Sequence, residues 1–228
     1  PDPYNIVWKT PSADHNGSLP LGNGDISLNA WVAPDGDLHF YIGKTDSWGD
    51  NARLLKVGKV RVRLDPPLVA EGTSFEQTLD LASGTMRVNV NAAADKTELA
   101  VWVDANNPVI HVAVDGDRRH AATVHIEPWR TGKYTLPSLE CSDVHLNRRA
   151  PGQKHAPTIV EPDVLIEGRA GAIGWYHHNV KSVGPALTAR IQGVAGYERE
   201  DPLLHRTFGA LVKMDDGRAV GSKKISAP

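Results

Sequence analysis

Cysteine is nearly absent from this 228-residue chain, with a single one at position 141. No internal disulfide framework is possible, so a buried core has to hold the fold, and a chain of this length can build one. Also missing is any run of about 20 apolar residues, the length that spans a bilayer. The opening Pro1-Asp2-Pro3-Tyr4 has neither a basic nor an apolar segment, so no leader is recognised there and a membrane partner is not expected. A large charge of one sign is lacking too: 25 basic residues face 27 acidic ones, a formal net charge of -2. Such a balance creates no field to gather nucleic acid.

Catalytic signatures are equally scarce. There is no Gly-x-Ser-x-Gly elbow, and Cys141 has only His145 near it in sequence, which supports no nucleophile. Glu127, Glu140, Glu161, Asp163 and Glu167 are available as acids, but a glycosidic acid–base pair is defined by a spatial separation that sequence does not supply. His177 and His178 are adjacent; on a strand they face opposite sides, so they do not form a metal pair. Neither a metal nor a cofactor is expected.

Helical periodicity is also rare, the best candidate being a turn or two at Ala52 to Lys56. What dominates is period-two alternation between turn signals, the mark of half-buried strands. In Asp25 to Val32, Ile26, Leu28, Ala30 and Val32 share one face while Ser27, Asn29 and Trp31 share the other. Pro34-Asp35-Gly36-Asp37 then makes a turn into Leu38, Phe40 and Ile42, predicting a hairpin. In Lys59 to Leu64 the valines point inward and the long cations lie along the outer face. Phe75 to Leu81 and Met86 to Val90 form another hairpin around Ser83-Gly84, and Leu99 to Val103, Val109 to Val114, Ala122 to Glu127, Ala172 to Asn179, Ala186 to Gln192 and Thr207 to Lys213 add further strands. About a dozen short strands at this spacing predict an all-β, large antiparallel two-sheet sandwich with little helix, as a single domain over residues 1–228. Residues 134–162 lack alternation and are expected to be a long irregular excursion. Gly17 to Asp25 reads as a glycine-rich strand-entry turn, and no closing element is recognised in Gly221 to Pro228.

Three clusters are candidate contact sites. Lys44, Asp46 and Trp48 combine an ammonium, a carboxylate and an indole in one short loop, the mixture that reads sugar hydroxyls and stacks on a sugar ring. The alternative is a Trp48 that plugs the end of the sandwich beside solvated charges. Trp175, His177, His178 and Asn179 form the densest aromatic and imidazole cluster, against which stands a hydrogen-bonded structural His. Arg206 leads into a strand and suits either a clamp or a docking point for another domain.

Taken in order, Trp8, Gly17-Ser18-Leu19-Pro20-Leu21-Gly22-Asn23-Gly24-Asp25, Leu28 to Val32 and Phe40 to Trp48 resemble the N-terminal domain of proteins related to family 95 glycoside hydrolases, the α-L-fucosidase group. Trp175 to Asn179 and Asp201 to Gly209 resemble a subgroup of such domains of unknown function. The resemblance implies a β-supersandwich of the galactose-mutarotase kind, followed in the parent enzyme by a linker and a catalytic (α/α)6 barrel. No position here matches the barrel's catalytic residues. The expectation is thus a non-catalytic domain that packs against that barrel and lends residues to its substrate rim. Alternatives are an independent carbohydrate-binding module and a mutarotase-like activity pairing His177 or His178 with Glu127. An extracytoplasmic setting, periplasmic or secreted after signal removal, accompanies all three.

Overall fold

A computed structural model describes residues 3–50, 52–92, 95–136, 159–167, 171–182, 184–197 and 200–228. Its strands are β1 (Ile6–Trp8), β2 (Leu19–Gly22), β3 (Ile26–Val32), β4 (Leu38–Lys44), β5 (Gly58–Asp65), β6 (Ser74–Asp80), β7 (Thr85–Ala92), β8 (Asp95–Val103) and β9 (Ile110–Gly116). They continue with β10 (Ala121–Glu127), β11 (Tyr134–Thr135), β12 (Ile159–Val160), β13 (Val164–Ile166), β14 (Ala172–His178), β15 (Thr207–Lys213), β16 (Arg218–Ala219) and β17 (Lys224–Ala227), with one α-helix among the described residues, α1 (Gly184–Ile191).

Two large sheets carry the fold. One runs β1-β6-β7-β8-β9, the other β16-β17-β10-β5-β4-β3-β2, and β13-β14-β15 forms a smaller third sheet. Every ladder is antiparallel. The fold class is therefore the all-β sandwich that alternation predicts. Leu28, Ala30, Phe40, Ile42, Val60, Val62, Val124 and Ile225 from the seven-stranded sheet meet Phe75, Leu79, Met86, Val88, Leu99 and Val101 from the five-stranded one, and Ile173, Trp175 and Phe208 extend the same core under the third sheet. Each fully buried aliphatic side chain contributes about 1.5–3 kcal/mol. Gln77, buried among them, accepts a hydrogen bond from the Val32 amide at 3.2 Å and links the sheets.

Four local expectations need correction. Ala52 to Lys56 is not helical: Gly49 donates to the Arg53 carbonyl, Leu55 to the Ser47 carbonyl, and Leu54 bridges Trp48. Those bonds occupy the backbone groups a helix would use. Ala186 to Gln192 is not a strand but lies within and just after α1. Pro185 suits the first turn, and Gly193 (φ 74°) closes the end as Gly193 and Val194 donate to the carbonyls of Arg190 and Ala189. Leu19 to Gly22 is an edge strand rather than part of a turn, which tolerates Pro20 because an edge needs no donor on its outer side. Lys224 to Ala227 is β17, paired with β10, and its Ile225 is fully buried. The excursion at 134–162 is closed at its base by the β11–β12 ladder; Glu140, Cys141 and His145 lie outside the described residues.

Candidate functional site: the open face of the seven-stranded sheet

Chain reversal at the end of β4 brings Lys44, Asp46, Trp48, Asn179 and Arg206 together, although well over a hundred residues separate the first three from the last two. Lys44 Nζ lies 3.1 Å from Asp25 Oδ1 and 2.7 Å from Asp46 Oδ1. Partial burial pulls the Lys44 ammonium down, but hydrogen bonds to Asp46 and Asp25 outweigh it and hold the pKa above its ordinary value. The Thr45 hydroxyl, 2.6 Å away, and then Lys44 hold the Asp25 carboxyl below the usual carboxylate range. The Trp48 indole donates to the Thr45 carbonyl at 3.1 Å. Asn179 Nδ2 donates to the carbonyls of Trp48 and Leu203 at 3.0 and 2.8 Å, and Arg206 Nη1 to that of Asp46 at 3.2 Å. These polar atoms are taken up by one another and by backbone. The arrangement is a clamp on a loop, with one side of Trp48 left exposed.

Beneath it lies a buried charge cluster. Asp163 Oδ1 accepts from Arg130 Nε at 2.7 Å and meets His177 Nδ1 at 3.0 Å. Arg130 also donates to the Lys56 carbonyl at 3.1 Å, while Trp175 Nε1 donates to the Val57 carbonyl at 2.7 Å. Trp175 and His177 are therefore core residues here, His177 packing against Phe208. His178 faces outward, 2.7 Å from the Thr207 hydroxyl and stacked on His205. Neither imidazole bonds to Glu127, whose partner is Lys59 at 2.9 Å.

The face of the seven-stranded sheet that turns away from the core is different in kind. Strand register aligns its side chains in cross-strand rows: Asn29, Tyr41, Lys59 and Glu127 in one, Trp31, His39, Arg61, His125 and Lys224 in the next. Tyr41 is the hub of an aromatic cluster, with ring centroids 5.2 Å from Trp31, 5.4 Å from Trp129 and 5.9 Å from His15. Trp31 also stacks on His39 at 5.3 Å. Lys56 Nζ sits 4.4 Å over the Tyr41 ring, a contact worth about 0.5–1 kcal/mol at an exposed position. Trp31 is buried as the floor, whereas Trp129 is 45% exposed at the rim.

Charges along these rows are mostly paired. Arg63 grips the buried Asp37 carboxylate through Nε and Nη2 at 3.0–3.2 Å, and Arg61 Nε lies 3.3 Å from it. Burial and the Lys59 charge hold His39 below its ordinary pKa, and burial with Arg61 and Lys224 does so for His125. A cleft of about 410 Å³ lined by Asp35, Asp37, Arg63 and Thr123 continues the face. Asp35, Asp37 and His39 gather their ligand atoms within 4.8 Å, yet a dication there would meet two guanidinium groups already neutralising Asp37. The residues do not fit a metal site.

The family of the domain of unknown function DUF5703 matches residues 7–226. The chain belongs to that family. Among curated proteins, none matches. The DUF5703 match runs from Val7 in β1 to Ser226 in β17 and so takes in both rows of the open face, which are part of the family's domain and not an appended segment.

Two features of this face were within reach of the sequence. Alternation places Trp31 on the same side of its strand as Asn29, and the cations of Lys59 to Arg63 opposite their valines. Missing were Tyr41 and His39 as their neighbours, because register between strands is not written in any one strand, and Lys56 and Trp129, which reach Tyr41 from loops.

Proposed function

We propose that this domain binds carbohydrate on the open face of its seven-stranded sheet, as a non-catalytic accessory domain of a carbohydrate-active enzyme. The observation that carries the reading is the Tyr41 hub with Trp129 exposed beside it. An indole face stacks on the C–H surface of a sugar ring, while neighbouring fixed polar groups, here Asn29, Glu127 and Lys59, bond its hydroxyls. The resemblance of the Gly17 to Asp25 and Phe40 to Trp48 strings to the N-terminal domain of proteins related to family 95 glycoside hydrolases supports the same substrate world. Calorimetric titration against a panel of plant and host oligosaccharides tests it. Binding that disappears in Trp129→Ala is expected; binding retained in that variant, or none across the panel, removes the proposal.

A second reading, packing against an (α/α)6 barrel of the same parent, is favoured by the apolar edge at β1, where Ile6, Val7 and Trp8 are each at least 40% exposed. Patches of this kind mark interaction surfaces. It predicts that Val7→Asp leaves the isolated domain folded but releases it from the barrel when the two are mixed; unchanged association excludes this edge.

A further inference from the structure

On the carbohydrate reading above, we infer that the ligand is an anionic saccharide, its ring on Trp129 and its carboxylate or sulfate on Lys56. Charge pairing narrows the cations of the face to Lys56 and Lys224, and Lys56 is the one set against the Tyr41 ring beside Trp129. Lys59 is met by Glu127 at 2.9 Å, Arg63 by Asp37 at 3.0 Å, and Arg61 lies 3.3 Å from Asp37 and 4.0 Å from Glu127. Among the described residues Lys56 has no carboxylate partner; its ammonium rests on the Tyr41 ring, which Trp129 also contacts. A ligand that covers Trp129 and Tyr41 would reach an ammonium with no carboxylate partner among the described residues.

The two residues are also held in place by the same buried group. Arg130, directly after Trp129 in the chain, is itself buried and donates to the Lys56 carbonyl at 3.1 Å while Asp163 holds its Nε at 2.7 Å. One guanidinium therefore ties the Trp129 segment to the backbone of Lys56 across 74 positions. Fixing both ligand contacts in advance reduces the ordering cost of binding.

The test compares charged and uncharged forms of the same sugars by calorimetry: uronate oligosaccharides with their methyl esters, and sulfated glycans with their desulfated forms. The charged member of at least one pair is expected to bind about tenfold more tightly in dilute buffer, as one charge-assisted contact supplies. That preference is expected to vanish in 1 M NaCl, where screening extends over only about 3 Å. Lys56→Met, a change at an exposed side chain, should abolish the preference so that charged and uncharged members bind alike, while Trp129→Ala abolishes binding of both. The two arms separate carboxylate from sulfate. Uncharged sugars binding as well as charged ones would overturn this inference and leave the carbohydrate reading standing; no binding by any member overturns both. A charge preference that survives Lys56→Met also overturns the assignment.

Discussion

Gly58 opens β5 against the flat face of Trp175, and the contact is close enough that one methyl group should be felt across the domain. A Cβ at position 58 would lie 2.6, 2.8 and 2.9 Å from Cζ2, Cε2 and Nε1 of Trp175. Carbon atoms in contact prefer about 3.5–4.0 Å, so Gly58→Ala overlaps the ring by roughly 1 Å. The ring has little room to retreat: Trp175 is 1% exposed, and its indole donates to the Val57 carbonyl at 2.7 Å. Overpacking a core costs about 1–3 kcal/mol, and loosening the indole bond adds about 1 kcal/mol. We expect a loss of about 3 kcal/mol, which for a chain of this size lowers the melting temperature by roughly 6–12 °C. Urea unfolding followed by far-UV circular dichroism measures it. Trp175→Phe alone also destabilises, but combined with Gly58→Ala it should recover about 1–2 kcal/mol of the sum of the single losses, since the clash goes with the indole. A Gly58→Ala protein within about 0.5 kcal/mol of the native one, or strict additivity in the double variant, would refute the reasoning.

Other expectations follow from the same contacts. Asp163→Ala strands the buried guanidinium of Arg130 and should cost about 3–5 kcal/mol in urea unfolding; a loss under about 1 kcal/mol would show that the cluster is not a unit. Burial holds the Asp50 carboxyl above its ordinary value, so its contribution to stability is present below the unfolded-state pKa of about 4 and is lost as pH rises through the folded value. Asp50→Asn should therefore gain stability relative to the native protein as pH rises above about 4, and a pH-independent difference contradicts this. Ile225→Ala empties a fully buried site on β17 and should cost about 2–5 kcal/mol; a near-neutral result would mean that the last strand is not docked.

How far this molecule could be read in advance depends on which interaction does the work. Strands such as β3, β5 and β7 carry their own alternation, because one face is core and the other solvent, and they stand where Ile26, Val60 and Met86 predict. β17 offers only Ile225 as an inward apolar residue, too short a pattern to recognise, and is made a strand by pairing with β10. Pro20 argues against a strand until the edge position of β2 is known. Lys44, Asp46, Trp48, Asn179 and Arg206 do converge, but as a clamp whose hydrogen bonds are internal. The exposed aromatic platform instead arises where separate strands and loops meet at Tyr41, and no local window of sequence contains that meeting.

The six indole N–H resonances provide the most direct measurement of the central assignment, each assigned by a Trp→Phe variant and followed as oligosaccharide is added. Movement of the Trp129 resonance, with Trp48 and Trp175 unmoved, is the predicted result. Movement of Trp48 alone would shift the ligand to the β4 loop and contradict the assignment of the open sheet face.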